Sequence, residues 1–584
     1  MMRNSRFVRR AGGATRLLGT LALVTVAACT SRTKDHHEVA ATTHAPEADA
    51  TANAPADRVE VDLFAFGAQQ GYVAPCGCTT EPLGGLPFAL GYIDDASGPA
   101  GRLILEPGSL LFPGKDDPEA PTDEASWAQA ERRASLLHER FSAWGDALIS
   151  GVGPADVRSP AGAAALRTYA LPRVLTNAAP TEGFTRVLDR RVADADLAVR
   201  AYAVVAPSAQ VDALPTLVDP IEALTSARAA NPVDAATTLE VVLVQGSADL
   251  ARAIALGVPD LDVVVVGGPQ ASTEVSRLGR PPTRVGGAWI LEPGDRGQTL
   301  THLRLSAPAA APAGLADTDR WTFLAPAEQT RAELARLDGR IETFSRDPSA
   351  DPAFLAKLRS ERARVAASLD ATGPEDGVGV AIEQVKVTCK LPTDAATRAA
   401  LDGYDAWVAR ENSARFKGVK TPEPAAGQPT YVGQETCADC HDEAVAYWKT
   451  SHHASAYQTL VDANKQFDLS CVSCHVTGFR QPGGAEVVET RGLVNVQCEQ
   501  CHGPGSAHAE DPETTNIRGK VPASTCLECH TEEHSDTFEL DAYLRNVLGP
   551  GHGEEARAAL GDGPTGRELR AAGLAKAGGA CKKM

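Results

Sequence analysis

The sequence predicts a layered α/β domain, interrupted by a helical hairpin, followed by a smaller domain of short helices and coil. Three observations support this prediction. Apolar runs alternate with helical stretches over residues 58–310, two alanine-rich helical segments follow within residues 311–372, and a cysteine–histidine motif recurs within residues 431–555. The chain has 584 residues, which leaves enough length for a large buried core in the first domain.

The α/β prediction rests on short apolar runs of strand length that are separated by helical stretches. The predicted strands include Val59–Phe66, Leu103–Leu105, Ala201–Val205, Leu239–Val244 and Asp262–Gly268. The predicted helices between them are Ala128–Leu148 and Ala248–Leu256. Alternation of this kind is typical of sheets whose faces are covered by helices.

Two helices with apolar residues at three- and four-residue spacing are predicted at Pro326–Phe344 and Pro352–Leu369. Aspartate–proline pairs separate them, and this break predicts an antiparallel hairpin. The strand Val378–Cys389 and the helix Asp394–Arg410 then return to the first domain, within residues 373–412.

The second domain, which follows a linker at residues 413–430, carries four copies of the pattern Cys-x-x-Cys-His. The cysteines are Cys437 and Cys440, Cys471 and Cys474, Cys498 and Cys501, and Cys526 and Cys529. The histidines that follow them are His441, His475, His502 and His530. Two cysteines at this spacing can bond the vinyl groups of one porphyrin, and the next histidine then reaches the iron. The pattern predicts four covalently bound c-type haems.

Zinc is the alternative cofactor, because pairs of cysteines at this spacing also build zinc sites. A pair of zinc sites would explain the cysteines. It would not explain why a histidine directly follows every cysteine pair, and haem is therefore the preferred interpretation.

Electron-transfer haems usually carry a second axial ligand. The candidates for the opposite face of each iron are His453, His508, His534 and His552. His508 follows a Gly-Pro-Gly-Ser turn that can fold the chain back beneath a ring. His452, next to His453, is interpreted as a bystander.

Several residues around the motifs carry a resemblance to a known family. They are Tyr431 and Gly433, Trp448, His453 and Ala454, and Gly503, Pro504, Gly505, Ser506 and His508. The run resembles the tetrahaem cytochrome c family of nitrification, whose best-known member accepts electrons from hydroxylamine oxidoreductase. The resemblance covers residues 431–555 and leaves residues 556–584 as a tail. It implies electron transfer, mostly bis-histidine haems, and one iron that can have an open face.

The first 29 residues have the features of a bacterial lipoprotein signal. Five arginines accompany a short apolar stretch, Leu17–Val26, which is too short to span a bilayer. The stretch leads into Val-Ala-Ala-Cys, and cleavage before Cys29 would leave that cysteine for lipidation. An ordinary signal peptide with an incidental cysteine is the alternative.

Residues 30–57 are rich in alanine, threonine, proline and aspartate, and they predict a disordered tether. Thr30 stands where an aspartate commonly retains lipoproteins at the inner membrane, so an outer-membrane anchor facing the periplasm is favoured. The formal net charge of −19 argues against binding to nucleic acid or anionic lipid and favours a basic redox partner.

The first domain carries a second resemblance. Its segments are Ala74–Cys78 with Leu83–Leu86, Thr176-Asn177, and Gly257–Gly268. They resemble the metallophosphoesterase domain of bacterial 5′-nucleotidases, in a divergent version fused to multihaem cytochromes. The resemblance implies a metallophosphoesterase-like fold for residues 58–310 and 373–412.

The ligands of that family are largely replaced in this chain. An active enzyme of this type needs two metals held by carboxylates, histidines and an asparagine. The corresponding positions hold Ser109, Gln245 and the run Gly268-Pro269-Gln270-Ala271, while Asn177 matches the family. The domain is therefore predicted to be degenerate, with the fold and without the hydrolytic chemistry.

Four further cysteines lie outside the motifs and the predicted signal. Cys76 and Cys78 are one residue apart and can form a redox pair, a strained disulfide or a metal clip, with a structural turn as the alternative. Cys389 is a candidate disulfide partner for one of them in an oxidising compartment. No role is predicted for Cys581.

Together these features predict an exported, lipid-anchored cytochrome that carries electrons through four haems. The spare histidines favour an electron carrier over an enzyme. A haem enzyme acting on a small nitrogen or sulfur compound at an open iron is the first alternative. A phosphoesterase with an appended cytochrome is the second, and the replaced metal ligands disfavour it.

Overall fold

The computed structural model describes residues 58–75, 78–98, 101–117, 119–179, 184–192, 197–234, 237–268, 278–308, 321–324, 327–346, 351–369, 377–531, 534–579 and 581. The chain divides into two compact units, Met1–Ala54 and Pro55–Met584, and every described residue belongs to the second. The predicted signal, Cys29 and the tether lie outside the described residues. In the described part of the chain, no helix combines the length and apolar character needed to cross a bilayer.

The described strands form two six-stranded mixed sheets. The strands are β1 Arg58–Ala65, β2 Arg102–Glu106, β3 Leu148–Ser150, β4 Leu188–Val192, β5 Leu197–Val205, β6 Thr238–Gln245, β7 Val263–Val266, β8 Arg280–Val285, β9 Ala288–Glu292, β10 Thr299–Pro308, β11 Trp321–Phe323 and β12 Val378–Lys386. The first sheet has the order β11-β12-β10-β1-β2-β3, and the second has the order β4-β5-β6-β7-β9-β8. Parallel pairs fill the centre of the second sheet, from β5 through β6 and β7 to β9.

One extensive apolar core lies between the two sheets. On β1, Val61 and Leu63 belong to this core together with Val241 of β6. Phe64 and Phe66 belong to a second core on the other side of the first sheet. Successive side chains of a strand point to opposite faces, so both faces of this sheet are buried.

Helices cover the outer face of each sheet. The helices of the first domain are Leu86–Ala96, Glu124–Ser142, Ala164–Thr168, Pro220–Ala230, Ala248–Gly257 and Ala395–Arg415. Leu137 and Leu401 pack on the first sheet, and Leu224 and Ile254 pack on the second. The domain is thus a four-layer α/β/β/α stack, which confirms the predicted layered α/β class.

The helix Glu124–Ser142 differs from the prediction at its C-terminal end. Asp123 caps its N-terminus by accepting a hydrogen bond from Ser126 N at 2.8 Å. The sequence pattern extended this helix to Leu148, which is wrong because Leu148 begins strand β3. Gly145 has a φ of +53°, a left-handed conformation that glycine adopts readily and that interrupts the helical path.

The helical hairpin lies between strands β11 and β12 of the first sheet. The hairpin helices are Ala327–Ser345 and Pro352–Ala367. Phe344 and Phe354 meet edge to face with ring centroids 5.1 Å apart, and Leu358 is buried. After the hairpin, β12 pairs with both β10 and β11 and so completes the first sheet.

The second domain consists mainly of short helices and coil, as predicted. Its helices, with those of the tail, are Gln434–Ala438, Asp442–Trp448, Ala456–Asp462, Leu469–Val472, Cys498–His502, Ser506–Glu510, Ala523–Leu527, Leu540–Val547, Glu554–Ala559 and Gly566–Lys576. A small core contains Val472, Val487 and Leu493 together with Ala125 and Phe416 of the first domain. The two domains therefore share one apolar core instead of being joined by the linker alone.

Candidate functional site

A large cavity lies in the second domain and against the first. Its volume is about 2200 Å³, well above the roughly 300–1,000 Å³ of an ordinary small-molecule pocket. All four Cys-x-x-Cys-His motifs line it, as do His453, His508, His534 and His552. The cavity gathers every residue that the sequence assigns to haem attachment or iron ligation.

Local helical turns orient the residues of the motifs. In the first motif His441 N donates to the Cys437 carbonyl at 2.9 Å, and in the fourth His530 N donates to the Cys526 carbonyl at 2.9 Å. The third motif is itself the helix Cys498–His502. Residues three and four apart share a face of a helical turn, so the two thiols and the imidazole of a motif lie on one side.

The motifs lie close to one another in pairs. The Cys437 thiol contacts Cys498, and this contact raises the pKa of Cys437 ahead of the effect of burial. The Cys529 thiol contacts Cys474, which raises the pKa of Cys529 in the same way. The first motif thus lies against the third, and the second lies against the fourth.

Three histidines of the cavity donate Nδ1–H to a backbone carbonyl. The pairs are His475 with Ala456 at 2.6 Å, His502 with Arg518 at 2.7 Å and His508 with Glu513 at 3.1 Å. A carbonyl oxygen only accepts, so Nδ1 carries the proton and Nε2 keeps its lone pair. This is the arrangement that fixes the tautomer and ring orientation of a metal-ligating histidine.

Two pairs of imidazole rings face each other across the cavity. The rings of His441 and His508 have centroids 6.3 Å apart with an interplanar angle of 20°. The rings of His453 and His530 have centroids 6.1 Å apart with an angle of 45°. Two metal–nitrogen bonds of about 2 Å, with the nitrogen-to-centroid distance of each ring, also give about 6 Å. Both pairs fit one iron held between two histidines.

The remaining cavity histidines are arranged differently. His475 and His502 have no imidazole at this separation within the residues that the structure describes. His552 lies near His502, whose charge lowers the pKa of His552 after the larger effect of burial. His534 Nδ1 hydrogen-bonds a threonine hydroxyl at 2.8 Å. His452 is exposed.

Burial lowers the pKa of several of these imidazoles. It lowers the pKa of His453 to about 4, with smaller contributions from the charges of His530 and His452. Burial also lowers the pKa of His475 and of His530. Because a protonated imidazole has no lone pair for a metal, these shifts favour ligation near pH 7.

The zinc alternative requires several ligands that converge on one point. Within the described residues, no three side chains of Cys, His, Asp or Glu converge in this way. The motif residues line a wide cavity instead, at separations that match a larger, planar group.

Part of the second domain is similar to a known protein family. Residues 436–503 match the family described as "Cytochrome c554 and c-prime". This segment is similar to a c-type cytochrome. Cytochrome c-554 of Nitrosomonas europaea is 34% identical over 96 residues, which is 14% of this chain and 41% of that protein. The chain thus spans about two-fifths of the length of the curated relative. The family match implies covalently bound c-type haem, and the cavity described above fits it.

Solved structures resemble the first domain only in part. The 5′-nucleotidase precursor of Thermus thermophilus has a TM-score of 0.39 and 16% identity, and covers 60% of this chain and 59% of its own. A sulfate thiohydrolase of the same organism has a TM-score of 0.31 and 16% identity, and covers 42% of this chain and 53% of its own.

The sequence predicts former metal-ligand positions at Ser109, Gln245 and Asn177, and all three side chains are hydrogen-bonded inside the first domain. Ser109 Oγ donates to Gln245 Oε1 at 3.1 Å, and Gln245 Nε2 donates to the Gly108 and Gly267 carbonyls at 2.7 Å each. Asn177 Nδ2 donates to the carbonyls of Val205 and Val218, and its Oδ1 accepts from Val205 N at 2.9 Å. We call Ser109, Gln245 and Asn177 the relic site; their side chains bond to one another or to backbone. Residues 269–271 lie outside the described part.

A buried charged cluster adjoins the relic site. Asp156 accepts hydrogen bonds from Ser109 N and from Leu110 N, and Arg173 NH1 lies 3.4 Å from its Oδ2. Glu106 accepts a hydrogen bond from Ser150 Oγ at 2.6 Å. Burial, together with the charge of Asp156, raises the pKa of Glu106 to about 7.

The cysteines outside the motifs correct one expectation. Cys389 forms a disulfide with Cys581, so its predicted pairing with Cys76 or Cys78 is wrong. The C-terminal tail folds back to the first domain, where Lys390 Nζ hydrogen-bonds the Ala577 carbonyl; this long-range contact has no local sequence pattern. Cys76 lies outside the described residues, and Cys78 is a free thiol that lines the haem cavity.

Sequence reasoning did not find the cavity residues that come from the first domain. Glu119, Gln129, Arg133 and Tyr404 all line the cavity. They belong to helices or loops whose local patterns do not show which part of the second domain they contact.

Proposed function

We propose that the protein is an exported, lipid-anchored electron carrier with four covalently bound c-type haems. The observation that carries the proposal is the geometry of the cavity: four Cys-x-x-Cys-His motifs line it, and two histidine pairs face each other at about 6 Å. A bound haem supplies a one-electron ferric/ferrous couple. The match to a cytochrome family over residues 436–503 supports the class of cofactor.

The chain's own residues bind and orient the cofactors. The cysteine pairs provide attachment, and the backbone carbonyls of Ala456, Arg518 and Glu513 hold histidine rings in one tautomer. Fixed ligands change little between oxidation states, which suits electron transfer. The contacts between motifs one and three and between motifs two and four favour short distances between redox groups.

The α/β domain holds the haem domain rigidly and offers a large surface to a partner. Gln129 Nε2 donates to Asp468 Oδ1 at 2.9 Å, and Asn412 Nδ2 donates to Gln129 Oε1 at 2.8 Å. All three side chains are buried. A buried, fully engaged polar seam of this kind fixes one relative orientation of two surfaces. We infer that this domain positions the haems and docks the redox partner.

Export and lipid anchoring form part of the proposal. The signal-like segment ending at Cys29 supports both, although it lies outside the described residues. The disulfide between Cys389 and Cys581 supports an oxidising compartment such as the periplasm. We place the protein at the periplasmic side of a bacterial membrane, with the outer membrane favoured. The net charge of −19 favours a basic redox partner.

Visible spectroscopy of the exported protein tests this function. We expect an α band typical of c-type haem after reduction, full and reversible reoxidation, and membrane association that is lost in a Cys29→Ala variant. Absence of the α band from the exported protein would refute the cytochrome assignment. Unaltered protein that shows the α band but does not associate with the membrane would refute only the anchor.

A second function is favoured by one observation. His475 and His502 lack an opposed imidazole at about 6 Å within the described residues. An iron with an open face at either of these two motifs would fit a haem enzyme for a small nitrogen or sulfur compound. High-spin signals in paramagnetic resonance and binding of nitric oxide or cyanide would support it. Four entirely low-spin irons would exclude it.

The phosphoesterase alternative is disfavoured by the bonding of the relic site. Gln245 and Asn177 direct their amides to neighbouring backbone groups. We expect no hydrolysis of nucleotides by the exported protein in the presence of added divalent metals. Metal-dependent turnover that follows the protein through purification would contradict this expectation.

A further inference from the structure

Residues of the first domain form one wall of the haem cavity. We define this interdomain wall as Tyr72, Glu119, Gln129, Arg133 and Tyr404, all of which line the cavity. Gln129 and Arg133 are four residues apart on the helix Glu124–Ser142, so they share one face of it. The wall therefore presents a fixed row of polar side chains to the haem domain.

The interdomain wall lies beside the second motif, Cys471 to His475. Gln129 Nε2 hydrogen-bonds Asp468, and Asp468 caps the helix Leu469–Val472 by accepting from Ser470 N at 3.0 Å. That helix carries Cys471. The charge of Glu119 also reaches Cys471, since it contributes to the raised pKa of that thiol after burial and nearer charges. Arg133, one turn from Gln129, thus stands next to this haem-attachment site.

Arg133 is a buried cation of the cavity with unused hydrogen-bonding capacity. It is only 9% exposed, and its Nε is buried with no hydrogen-bond partner in the described part of the chain. Its nearest carboxylate oxygen is Glu119 Oε2, 3.7 Å from NH1. This distance permits an ion pair but exceeds a hydrogen bond.

Three other cations that line the cavity, Arg398, Lys465 and Arg480, lie closer to a carboxylate than Arg133 does. Their nearest carboxylates are Asp123 for Arg480 at 2.7 Å, Asp402 for Arg398 at 3.1 Å and Asp405 for Lys465 at 3.5 Å. These three side chains are also more exposed than Arg133, so water can complete their hydrogen bonds. A guanidinium that is both buried and incompletely bonded is costly unless a further acceptor binds it.

We propose that Arg133 is a binding site for a carboxylate or comparable oxyanion inside the haem cavity, beside the second motif. The planar fork of a guanidinium matches two oxygens of such a group. The charges of Glu119 and Asp468 also act on Arg133, and burial raises the pKa of the Glu119 carboxyl. Lys465, on the haem-domain side, adds positive charge near Cys471.

The oxyanion has two possible sources with the same chemistry. One is a propionate of the haem attached at Cys471 and Cys474, in which case the inference deepens the proposed function and rests on it. The other is a free small oxyanion that enters the cavity. In both cases Arg133 of the first domain would influence the reduction potential of a haem, in addition to the role of that domain in holding the haem domain in place.

Three variants of the full-length exported protein test the site. Arg133→Gln removes the charge with little change in volume. Arg133→Lys keeps the charge and loses the planar fork. Arg132→Gln, at the exposed neighbouring position of the same helix, is the matched control. The readouts are haem content per chain and the reduction potentials of the haems, measured without additives and then with added acetate or inorganic phosphate.

If a propionate occupies the site, Arg133→Gln lowers the potential of one haem without additives, because a positive charge near the iron is lost. Arg133→Lys shifts it less, and acetate or phosphate has no effect on the unaltered protein. If a free oxyanion occupies it, acetate or phosphate shifts one potential of the unaltered protein saturably and leaves that of Arg133→Gln unchanged.

The proposal is overturned if Arg133→Gln and Arg133→Lys both match Arg132→Gln in every potential, with and without added anion. If Arg133→Gln does not fold, the comparison of Arg133→Lys with Arg132→Gln decides between these outcomes. Failure of the proposed function is a separate result, since it shows as low haem content in the unaltered protein.

Discussion

The relic site and the haem cavity both contain polar side chains but differ in how those side chains are bonded. In the relic site, Gln245 and Asn177 direct both ends of their amides to neighbouring protein groups. In the haem cavity, His475 and His502 use Nδ1 for the backbone, which leaves the lone pair of Nε2 for a metal. Polar groups that satisfy one another indicate a closed structural site, whereas ligands oriented by a second hydrogen bond indicate a cofactor site.

The same contrast explains why the two domains retain different roles. The first domain's buried charges include Asp156 and Arg173, whose Oδ2 and NH1 atoms lie 3.4 Å apart. The cysteines and histidines of the four motifs line a cavity of about 2200 Å³. The first arrangement stabilises a fold, and the second fits a bound group.

The largest expected effect is the loss of one haem when one motif is removed. A Cys498→Ala/Cys501→Ala variant lacks both thioether attachments of the third motif, so we expect haem content to fall from four to three per chain. Protein mass and the haem-to-protein ratio measure it. The control is Cys78→Ala, which removes a cavity thiol outside the motifs and should keep four haems. A double variant whose mass still includes four haems would contradict covalent attachment at these cysteines.

Removal of one candidate distal ligand should change the spin state of one haem iron. His508 faces His441 at 6.3 Å, so His508→Ala should convert one low-spin haem to a high-spin or exchangeable state. Paramagnetic resonance of the oxidised protein measures this change. His452→Ala, at an exposed histidine, is the control and should leave the spectrum as it is. Identical spectra for the two variants would remove His508 from the ligand set.

Loss of the disulfide should destabilise the fold without changing the haems. Cys389 and Cys581 are separated by 192 residues, and closing a loop of that size stabilises by up to about 5 kcal/mol through the unfolded state. We expect Cys581→Ser to lower the free energy of unfolding in urea and to expose the tail to proteolysis. Equal stability under oxidising conditions would show that the bond does not form in the exported protein.

The charged cluster beside the relic site should make stability depend on pH. The folded-state pKa of Glu106 is raised to about 7 from an ordinary value of 4.5. Its contribution is therefore fully present below about pH 4.5 and is lost as pH rises through 7, on the order of 3 kcal/mol in all. Glu106→Gln should reduce the dependence of the free energy of unfolding on pH between about 4.5 and 7. Glu139→Gln, at an exposed position of the helix Glu124–Ser142, should retain the unaltered profile.

The smallest effect is expected within the relic site itself. Ser109→Ala removes one hydrogen bond to Gln245 and should cost about 1 kcal/mol of stability. The visible spectrum and the reduction potentials should stay unchanged. Ser142→Ala, at an exposed position, is the control for stability. A shift in any haem reduction potential would show that the relic site is coupled to the haems. The two regions would then not be functionally independent.

Local patterns in the sequence predicted much of both regions. Alternating apolar residues such as Val61 and Leu63 predicted strands with buried faces, because side chains alternate along a strand. The spacing of Cys498, Cys501 and His502 predicted the attachment chemistry, because a single helical turn brings those three residues together. Both inferences use only short-range geometry.

Long-range contacts were not predictable in this way. The pairing of Cys389 with Cys581 depends on the path of the tail across the first domain. The position of Arg133 in the haem cavity depends on how the second domain docks on the helix Glu124–Ser142. The C-terminal limit of that helix was also missed, since the positive φ of Gly145 is a backbone property that the apolar spacing does not reveal.

The most direct test of the central claim is the number of haems per chain in the exported protein, determined by pyridine haemochrome against quantitative amino-acid analysis. We expect four, one for each Cys-x-x-Cys-His motif that lines the cavity. A value of three or fewer in the fully matured protein would contradict it.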